Sequence, residues 1–325
     1  MKRKCFSSGI VVLAAFLAMS SIGFTEDKFP QKDATLIMPY SPGGGTDVMG
    51  RTISRIIEKY NLYPKEIAVV NKPGGGGAVG KAYVMKQRPD GYTITAADIG
   101  NAIYPIVVPS TKWKTDDWVY LANMVFDYNL ICVKTGSYKD IDSLIKASKQ
   151  SQAPLKAGGT SAAGGPDSMC SLKLNQAAGT KILYVPMKGG GEVITSLLGG
   201  HVDMVWANPS EIQGQIEAGK AVALAVAAEK RLASMPEVPT FRELGMDVYY
   251  AQQRGYCAKA GIPEEARVFW IDLLKKVRET TEWKDYLKKS SLEDGWLPGE
   301  EFRTWMHDAK DDFVKSLDAL KKTMK

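Results

Sequence analysis

The chain has 325 residues, of which 45% are hydrophobic and 24% are charged, and its formal net charge is +6. This length and apolar content allow a large core, which is usually divided between two domains. Acidic and basic residues are interspersed, and no basic block with interleaved aromatic residues stands out, so the sequence does not favour nucleic-acid binding.

The first 23 residues have the order of a secretory signal peptide. Lys2, Arg3 and Lys4 precede an apolar run at 9–19, and small residues follow as far as Gly23, where we expect cleavage. A membrane anchor is the less favoured alternative because the run is shorter than the ~20 residues needed to span a bilayer. We therefore expect a soluble periplasmic protein, and its charge is about +3 because three basic residues and no acidic ones are removed.

Strands and helices alternate along most of the remaining chain. Hydrophobic periodicity predicts strands at 35–40, 67–70, 92–96, 130–133, 155–157, 182–185, 202–206 and 222–227. It predicts helices at 46–60, 80–87, 141–150, 166–178 and 192–198. Beyond Ala260 the pattern is helical, with helix starts at Pro263 and Pro298. This alternation predicts an α/β protein with two units of parallel βαβ structure.

Three glycine-rich loops follow predicted strands and lead into predicted helices, at 41–47, 158–165 and 188–191. A helix start offers unpaired N–H groups and a partial positive charge, and glycine lets the backbone approach a ligand closely. Ligands of open α/β sheets bind outside the carboxyl ends of the strands. The loops therefore predict a cleft for a small anion between two lobes, although spacing alone leaves open that they are only tight connections.

The stretch from Asn71 to Ala82 matches two phosphate-binding patterns. Ala82 occupies the position at which a P-loop has a hydroxyl group that binds magnesium, so the P-loop interpretation fails. The dinucleotide pattern matches on spacing, with Asp98 as the acidic residue further on, but an exported chain is the wrong context. We interpret the stretch as part of the cleft rim and expect Lys81 to be solvated.

Residues suited to catalysis are few. The mature chain has only His201 and His307, which rules out a multi-histidine zinc site. Ser161 lacks the second glycine of a nucleophile elbow, yet a secreted hydrolase that uses Ser161 remains the alternative function. We expect no metal and no cofactor.

The sequence leaves open whether cysteines pair and whether every aromatic residue lies in the core. Three cysteines cannot all pair, and three buried thiols are favoured over a bridge between Cys132 and Cys257. Most aromatic residues are expected in the core, but Trp206 ends a strand next to Asn208, where it could face a ligand.

A co-linear series of motifs resembles one family over nearly the whole mature chain. The motifs are Pro39-Tyr-Ser-Pro-Gly-Gly-Gly-Thr-Asp47, Asn71-Lys-Pro-Gly-Gly-Gly-Gly77, Pro89-Asp-Gly-Tyr92, Val185-Pro-Met-Lys-Gly-Gly190, Leu198-Gly-Gly-His-Val-Asp203 and Met235-Pro-Glu-Val-Pro-Thr240. They resemble the extracytoplasmic solute receptors of tripartite tricarboxylate transporters, the Bug or TctC-like periplasmic binding proteins.

The resemblance implies a two-lobed, type II periplasmic-binding-protein fold, each lobe a sheet flanked by helices, with a ligand cleft between them. Lobe 1 would comprise residues 24–128 plus 250–325, and lobe 2 residues 129–249, with crossings near 123–133 and 248–258. It further implies a monomeric, non-enzymatic receptor with high affinity for a small carboxylate or amino-acid-like solute. The receptor would deliver this solute to membrane permease subunits.

The resemblance also implies the ligand-binding residues. Those of the first lobe are Tyr40, Ser41, Gly43, Gly44, Thr46 and Asp47, the last often acting through water. Those of the second lobe are Gly159, Thr160, Ser161, Ser168, Lys188 and Gly189, with Asn101 and Asn208 as side contributors. Neither glycine-rich clamp contains Arg, so we expect helix ends and hydroxyl groups to bind the anion.

The chain departs from the family pattern at two positions. Met187 stands where many members have Tyr, Ser168 stands where many have His, and Asp167 adds a negative charge nearby. These changes weaken the expectation of a dicarboxylate. They suit a ligand with one carboxylate, an amino group or an apolar body.

Overall fold

The computed structural model describes residues 28–161 and 164–323, with side chains as far as residue 318. The predicted signal peptide lies outside the described residues. Two sheets flanked by helices account for most of the described chain, which confirms the predicted α/β class.

The first sheet contains strands from both ends of the described chain. Its strands are β1 (Ala34–Met38), β2 (Ile67–Asn71), β3 (Thr93–Ala97), β4 (Trp118–Tyr128), β10 (Ala251–Lys259) and β11 (Glu293–Pro298). Their order is β11-β4-β10-β3-β1-β2. Strand β1 is parallel to both neighbours, whereas β10 runs antiparallel to β3 and β4.

The second sheet contains the middle of the chain. Its strands are β5 (Leu130–Lys134), β6 (Lys156–Gly159), β7 (Leu183–Pro186), β8 (Met204–Ala207) and β9 (Ala221–Val226), in the order β7-β6-β8-β5-β9. Strand β6 is parallel to β7 and β8, and β5 is antiparallel to β8 and β9. The glycine-rich loops therefore leave the carboxyl ends of parallel strands in both sheets.

Helices cover the faces of both sheets. They are α1 (Gly45–Lys59), α2 (Ala78–Met85), α3 (Gly100–Val107), α4 (Ile141–Gln150), α5 (Pro166–Ala178), α6 (Gly190–Leu198), α7 (Pro209–Glu217), α8 (Glu264–Glu279), α9 (Thr281–Lys289) and α10 (Gly299–Thr323). Helix α1 is amphipathic, and its buried Met49, Ile53 and Ile56 pack in the core of the first sheet. No helix in residues 28–161 and 164–323 combines the length and apolar character that a membrane crossing requires.

In the described residues the chain crosses between the two sheets twice. Asn129 joins β4 of the first sheet directly to β5 of the second, and residues 227–250 lead back from β9 to β10. Helix α10 contacts both sheets, because Phe302 and Met306 pack against the first sheet while Phe313 belongs to the core of the second, as does Ile103 of α3.

Burial answers two questions that the sequence left open, the position of Trp206 and the state of the cysteines. Trp206 is 1% exposed and its Nε1 donates to Ser171 Oγ at 2.6 Å, so it is a core residue and the expected ligand-facing position is wrong. Cys132, Cys170 and Cys257 are buried free thiols, which confirms the favoured prediction.

A candidate anion-binding cleft between the two sheets

The loop after β1 presents an open helix N-terminus. Residues 41–45 are exposed, and the N-cap residue of α1, Gly44, makes no side-chain cap. The first N–H groups of a helix have no acceptor within the helix. Helix α1 is 15 residues long, so its N-terminus carries an appreciable partial positive charge. This end of α1 is suited to a carboxylate.

Asp47 holds this loop in place. It is 2% exposed, and its Oδ2 accepts the N–H of Gly43 at 2.9 Å and Nε of Arg51 at 3.0 Å. Its Oδ1 accepts Nδ2 of Asn71 at 2.8 Å, and the same amide donates to the carbonyl of Tyr40 at 3.1 Å. Burial would raise the pKa of Asp47, but these hydrogen bonds outweigh it and lower the pKa below its ordinary value. Asp47 is therefore ionised and positions the loop.

A buried cluster fixes Tyr40 and the Asn71–Ala82 stretch against each other. Lys81 is 0% exposed and its Nζ lies 2.8 Å from Asp98 Oδ2, to which the Tyr40 hydroxyl also donates, at 2.5 Å. The expectation of a solvated Lys81 is thus wrong. Gly77 is left-handed, and a Cβ there would lie 3.1 Å from both Lys81 Nζ and the Tyr40 ring, so the glycines permit this close packing.

Arg254 is a candidate site residue that the motifs did not reveal. It lies on β10, and a Cβ on Gly45 would be 2.5 Å from its Nη1, so the guanidinium lies against the N-terminus of α1. Its Nη2 donates to Asp127 Oδ2 at 2.5 Å. Neither glycine-rich loop contains Arg, as predicted, but Arg254 of β10 lies against the first of these loops. The only sequence signal was a polar Gln-Gln-Arg run in an otherwise apolar strand.

The second sheet contributes the loop after β6. Thr160 and Ser161 donate their backbone N–H groups to Asp167 Oδ2 at 2.6 and 3.0 Å. Ser161 Oγ accepts the N–H groups of Asp167 and Ser168 at 3.0 and 3.2 Å, so it caps α5. Ser168 Oγ accepts the N–H of Gly164 at 2.9 Å, while buried Gly159 packs against the side chain of Asp167.

Two more helix starts lie beside this loop in the second sheet. Gly189 is the N-cap of α6, and the N–H of exposed Lys188 donates to Glu192 Oε2 at 2.9 Å. Asn208 forms a capping box with Glu211 at the start of α7, and its Nδ2 donates to the Tyr128 carbonyl at 3.3 Å. A Cβ on Gly190 would lie 3.2 Å from Glu211 Oε1, so the starts of α6 and α7 are adjacent.

Asp127 connects the two sides of the cleft. Burial raises the pKa of Asp127 to about 6. Arg254 and a hydrogen bond from Asn208 act to lower this pKa, whereas Glu211 and Asp167 act to raise it. Hydrogen bonds join Asp127 to Arg254, the Tyr128 carbonyl to Asn208 and Asn129 to Asp167, so groups of β10, α7 and α5 meet at the end of β4. The structure thus brings together the predicted residues of the 40–47, 159–168 and 208 segments around Arg254.

Asn101 is not brought to the cleft surface. It is 0% exposed, its Nδ2 lies 3.3 Å from Cys257 Sγ, and its carbonyl accepts Nε1 of Trp113 at 3.2 Å. A cavity of about 250 Å³ lies elsewhere, between α10 and residues 242–251, with Tyr249, Trp305 and Asp308 in its lining. None of the predicted site residues lines this cavity.

Comparison with known proteins agrees with the motifs. A family model described as "Tripartite tricarboxylate transporter family receptor" matches residues 59–309. The UPF0065 protein in the gbd 5' region of Cupriavidus necator is 29% identical over 312 residues, 93% of each chain. A TctC solute binding protein from Polaromonas has a TM-score of 0.77 at 26% identity, over 90% of this chain and 99% of its own.

A more distant structure supports the architecture alone. MatC from Rhodopseudomonas palustris, solved with bound malate, has a TM-score of 0.74 at 21% identity and covers 89% of this chain and 99% of its own. Its similarity confirms the two-lobed periplasmic-binding-protein fold. Because the family model spans more than half of the sequence, the chain belongs to the receptor family of the tripartite tricarboxylate transporters.

Proposed function

We propose that this protein is exported by its N-terminal signal peptide to the periplasm, where it binds a small organic anion with high affinity as a monomer. It then delivers the solute to the permease subunits of a tripartite tricarboxylate-type transporter. One observation carries the binding role: the Arg254 guanidinium lies against the N-terminus of α1, which has no side-chain cap, so two sources of positive charge meet at one point.

We also propose that the two sheets are the two lobes, with lobe 1 formed by residues 24–128 plus 250–325 and lobe 2 by residues 129–249. The change of sheet at Asn129 and the return before Ala251 support this division. Closure of one lobe on the other around the solute is the working step, and no covalent bond is made or broken.

The binding roles divide between contact and positioning. In the first lobe, Ser41, Gly43, Gly44, Thr46 and Arg254 contact the solute carboxylate, whereas Tyr40 and Asp47 position the loop. In the second lobe, the solute meets the surface formed by Gly159, Thr160, Ser161, Ser168, Lys188, Gly189 and Asn208. Asn101 is a positioning residue of the first lobe, because its side chain is wholly enclosed and its Oδ1 accepts the N–H of Asp98.

The serine-hydrolase alternative receives no support from the geometry of Ser161. Its Oγ accepts two N–H groups of α5 and lies 3.3 Å from the Tyr184 hydroxyl. A nucleophile needs a general base within hydrogen-bond reach, commonly a histidine. No histidine is among the partners that the described part of the chain gives to Ser161.

A thermal-shift screen with small mono- and dicarboxylates and amino acids tests the proposal. A solute bound only by the folded protein stabilises it by about 2.7 kcal/mol at a free concentration of ~100 Kd. We expect at least one compound to raise Tm, and the bound stoichiometry to be one per monomer. The proposal fails if none does and the protein instead hydrolyses a chromogenic ester in a reaction that Ser161→Ala abolishes.

A further inference from the structure

The cavity between α10 and residues 242–251 shares no lining residue with the anion-binding cleft. Its volume is about 250 Å³, which is space for about eight water molecules at ~30 Å³ each. Its walls come mainly from α10, from the end of the return crossing before β10 and from Lys173 of α5. Neither Arg254 nor any residue of the 40–47, 159–168 and 208 segments lines it. An occupant of this cavity would therefore contact groups that the proposed receptor role leaves unused.

One face of α10 borders the cavity. The residues of this face are Trp305, Asp308, Ala309 and Asp312. The last three follow Trp305 by three, four and seven positions, and residues three or four apart are neighbours on a helix surface. The core contacts of α10 include Phe302, Met306 and Phe313. The two carboxylates thus lie on the cavity side of the helix, beside the residues that pack it against the sheets.

The charged groups that line the cavity are paired except for one. Lys173 Nζ lies 2.8 Å from Asp312 Oδ2, and Arg242 Nε lies 3.6 Å from Asp247 Oδ1. Asp308 is exposed and has no hydrogen-bond or ion-pair partner in residues 28–161 and 164–318. The lining therefore contains one carboxylate without a matching cation. An anion would meet this carboxylate and two cations that are already paired, so the charges favour a positively charged occupant.

The hydroxyl of Tyr250 is a second sign of an occupant. Tyr250 lines the cavity and is 8% exposed, and its hydroxyl has no hydrogen-bond partner among the described residues. Buried polar atoms are normally hydrogen-bonded. A tyrosine hydroxyl can accept a hydrogen bond, and an ammonium group has three donors. The unpartnered hydroxyl therefore fits a ligand that carries N–H donors.

Aromatic rings form another part of the lining. Trp305 is half-buried, and Tyr249 lies across the cavity from α10 on the return crossing. The face of an aromatic ring attracts a cation that lies within about 6 Å of its centroid. The chain already has one such contact here, because Arg242 Cζ lies 5.3 Å from the centroid of Tyr249. The ring of Trp305 offers the same attraction to a ligand.

We propose that this cavity is a second binding site, which takes a small organic cation that has an ammonium group and an apolar body. The ammonium group pairs with Asp308 and supplies the donor that the Tyr250 hydroxyl lacks, while the apolar body packs against Trp305. This site is additional to the proposed function, and it does not depend on the identity of the solute in the cleft.

NMR titration with benzylamine tests the site. Benzylamine is an ammonium ion at neutral pH, and benzyl alcohol has nearly the same size without the charge. The protein has seven tryptophans, whose indole N–H signals are followed after labelling with nitrogen-15. Trp305→Phe identifies the signal of Trp305. We expect benzylamine to shift this signal saturably with a Kd of about 1 mM or below, and benzyl alcohol to bind at least about fivefold more weakly.

Asp308→Asn tests the partner of the ammonium group. The substitution is conservative and Asp308 is exposed, so the protein should stay folded. We expect it to weaken benzylamine binding by about fivefold, the upper range for an exposed ion pair. Asp311→Asn is the matched control, because Asp311 is exposed on the same helix and does not line the cavity. The control should bind benzylamine as the native protein does.

Three results would overturn the site. The first is a Trp305 signal that does not move at about 10 mM benzylamine, tenfold above the expected Kd, which would mean that the cavity holds water only. The second is equal binding of benzylamine and benzyl alcohol, and the third is an equal effect of Asp308→Asn and Asp311→Asn. Each of these results leaves the receptor role standing, because the carboxylate screen tests that role separately.

Discussion

Asp127 is a buried carboxyl group at the junction of the two lobes. Arg254 on β10 donates a hydrogen bond to it, and Asp167 on α5, Glu211 on α7 and the Asn208 amide also influence its pKa. Burial and the two neighbouring carboxyl groups outweigh the guanidinium, so the pKa of Asp127 rises from 3.8 to about 6. The folded protein therefore holds a proton at Asp127 at pH values at which the unfolded chain has lost it.

This proton makes stability depend on pH. Between pH 4 and 6 the folded state binds more protons at Asp127 than the unfolded state does. The contribution of this group to the free energy of unfolding is therefore largest below pH 4, and this contribution is lost as pH rises to about 6. The loss is on the order of 3 kcal/mol. Urea unfolding of the native protein and Asp127→Asn between pH 4 and 7 measures it. The difference between the two free energies should fall as pH rises; parallel curves would contradict the assignment.

The roles of two basic residues, Lys81 and Arg254, could not be predicted from the sequence. The glycines around Lys81 indicate a close-approach loop, but its partner Asp98 follows another strand, so burial of the ion pair could not be read from the motif. Arg254 is distant in sequence from every glycine motif and reaches α1 only because β10 inserts beside β3. Both roles depend on strand order, which the local pattern does not encode.

At the level of elements, Gly45 leaves room for the Arg254 guanidinium at the start of α1. It stands at the start of α1 with the Arg254 guanidinium against it, where a methyl group would lie 2.5 Å from Nη1 and 3.0 Å from Cζ. Alanine favours a helix over glycine by up to about 1 kcal/mol. The substitution would therefore displace the guanidinium without unfolding the helix.

We predict that Gly45→Ala weakens solute binding by about tenfold, the equivalent of 1.4 kcal/mol, while the protein remains folded. Gly214→Ala is the control, because Gly214 lies in α7 and a methyl group added there would have no neighbouring atom within 4 Å. Calorimetry and urea unfolding provide the two readouts. Equal affinities for the two variants would remove Arg254 from the anion site.

Elements with strong local signals are predicted well from the sequence, and those defined by tertiary contacts are not. The bounds of α4 and α5 agree with the prediction because an aspartate cap and a proline mark their starts. Helix α3 is missing from the prediction, since it contains Pro105 and is short. The long strand β4 is predicted only as part of a crossing between the lobes. A strand buried on both faces lacks the alternation of polar and apolar residues by which a strand is recognised.

At the scale of the whole molecule, the cleft depends on two sheets that the chain visits in the order first, second, first. The alternating pattern predicts two α/β units, and the family resemblance supplies the two-lobed fold. Helix α10 adds a link that neither anticipates, since Phe313 packs in the core of the second sheet and lies against Gly164. The proposed closure of the lobes therefore has to accommodate α10 as well as the two crossings.

A crystal structure of the protein with its stabilising solute would show where the solute binds. We expect one solute between the sheets, its carboxylate accepting hydrogen bonds of about 3 Å from the N–H groups at the start of α1 and from Arg254. A solute found instead in the cavity between α10 and residues 242–251, or making no contact with α1 and Arg254, would contradict it.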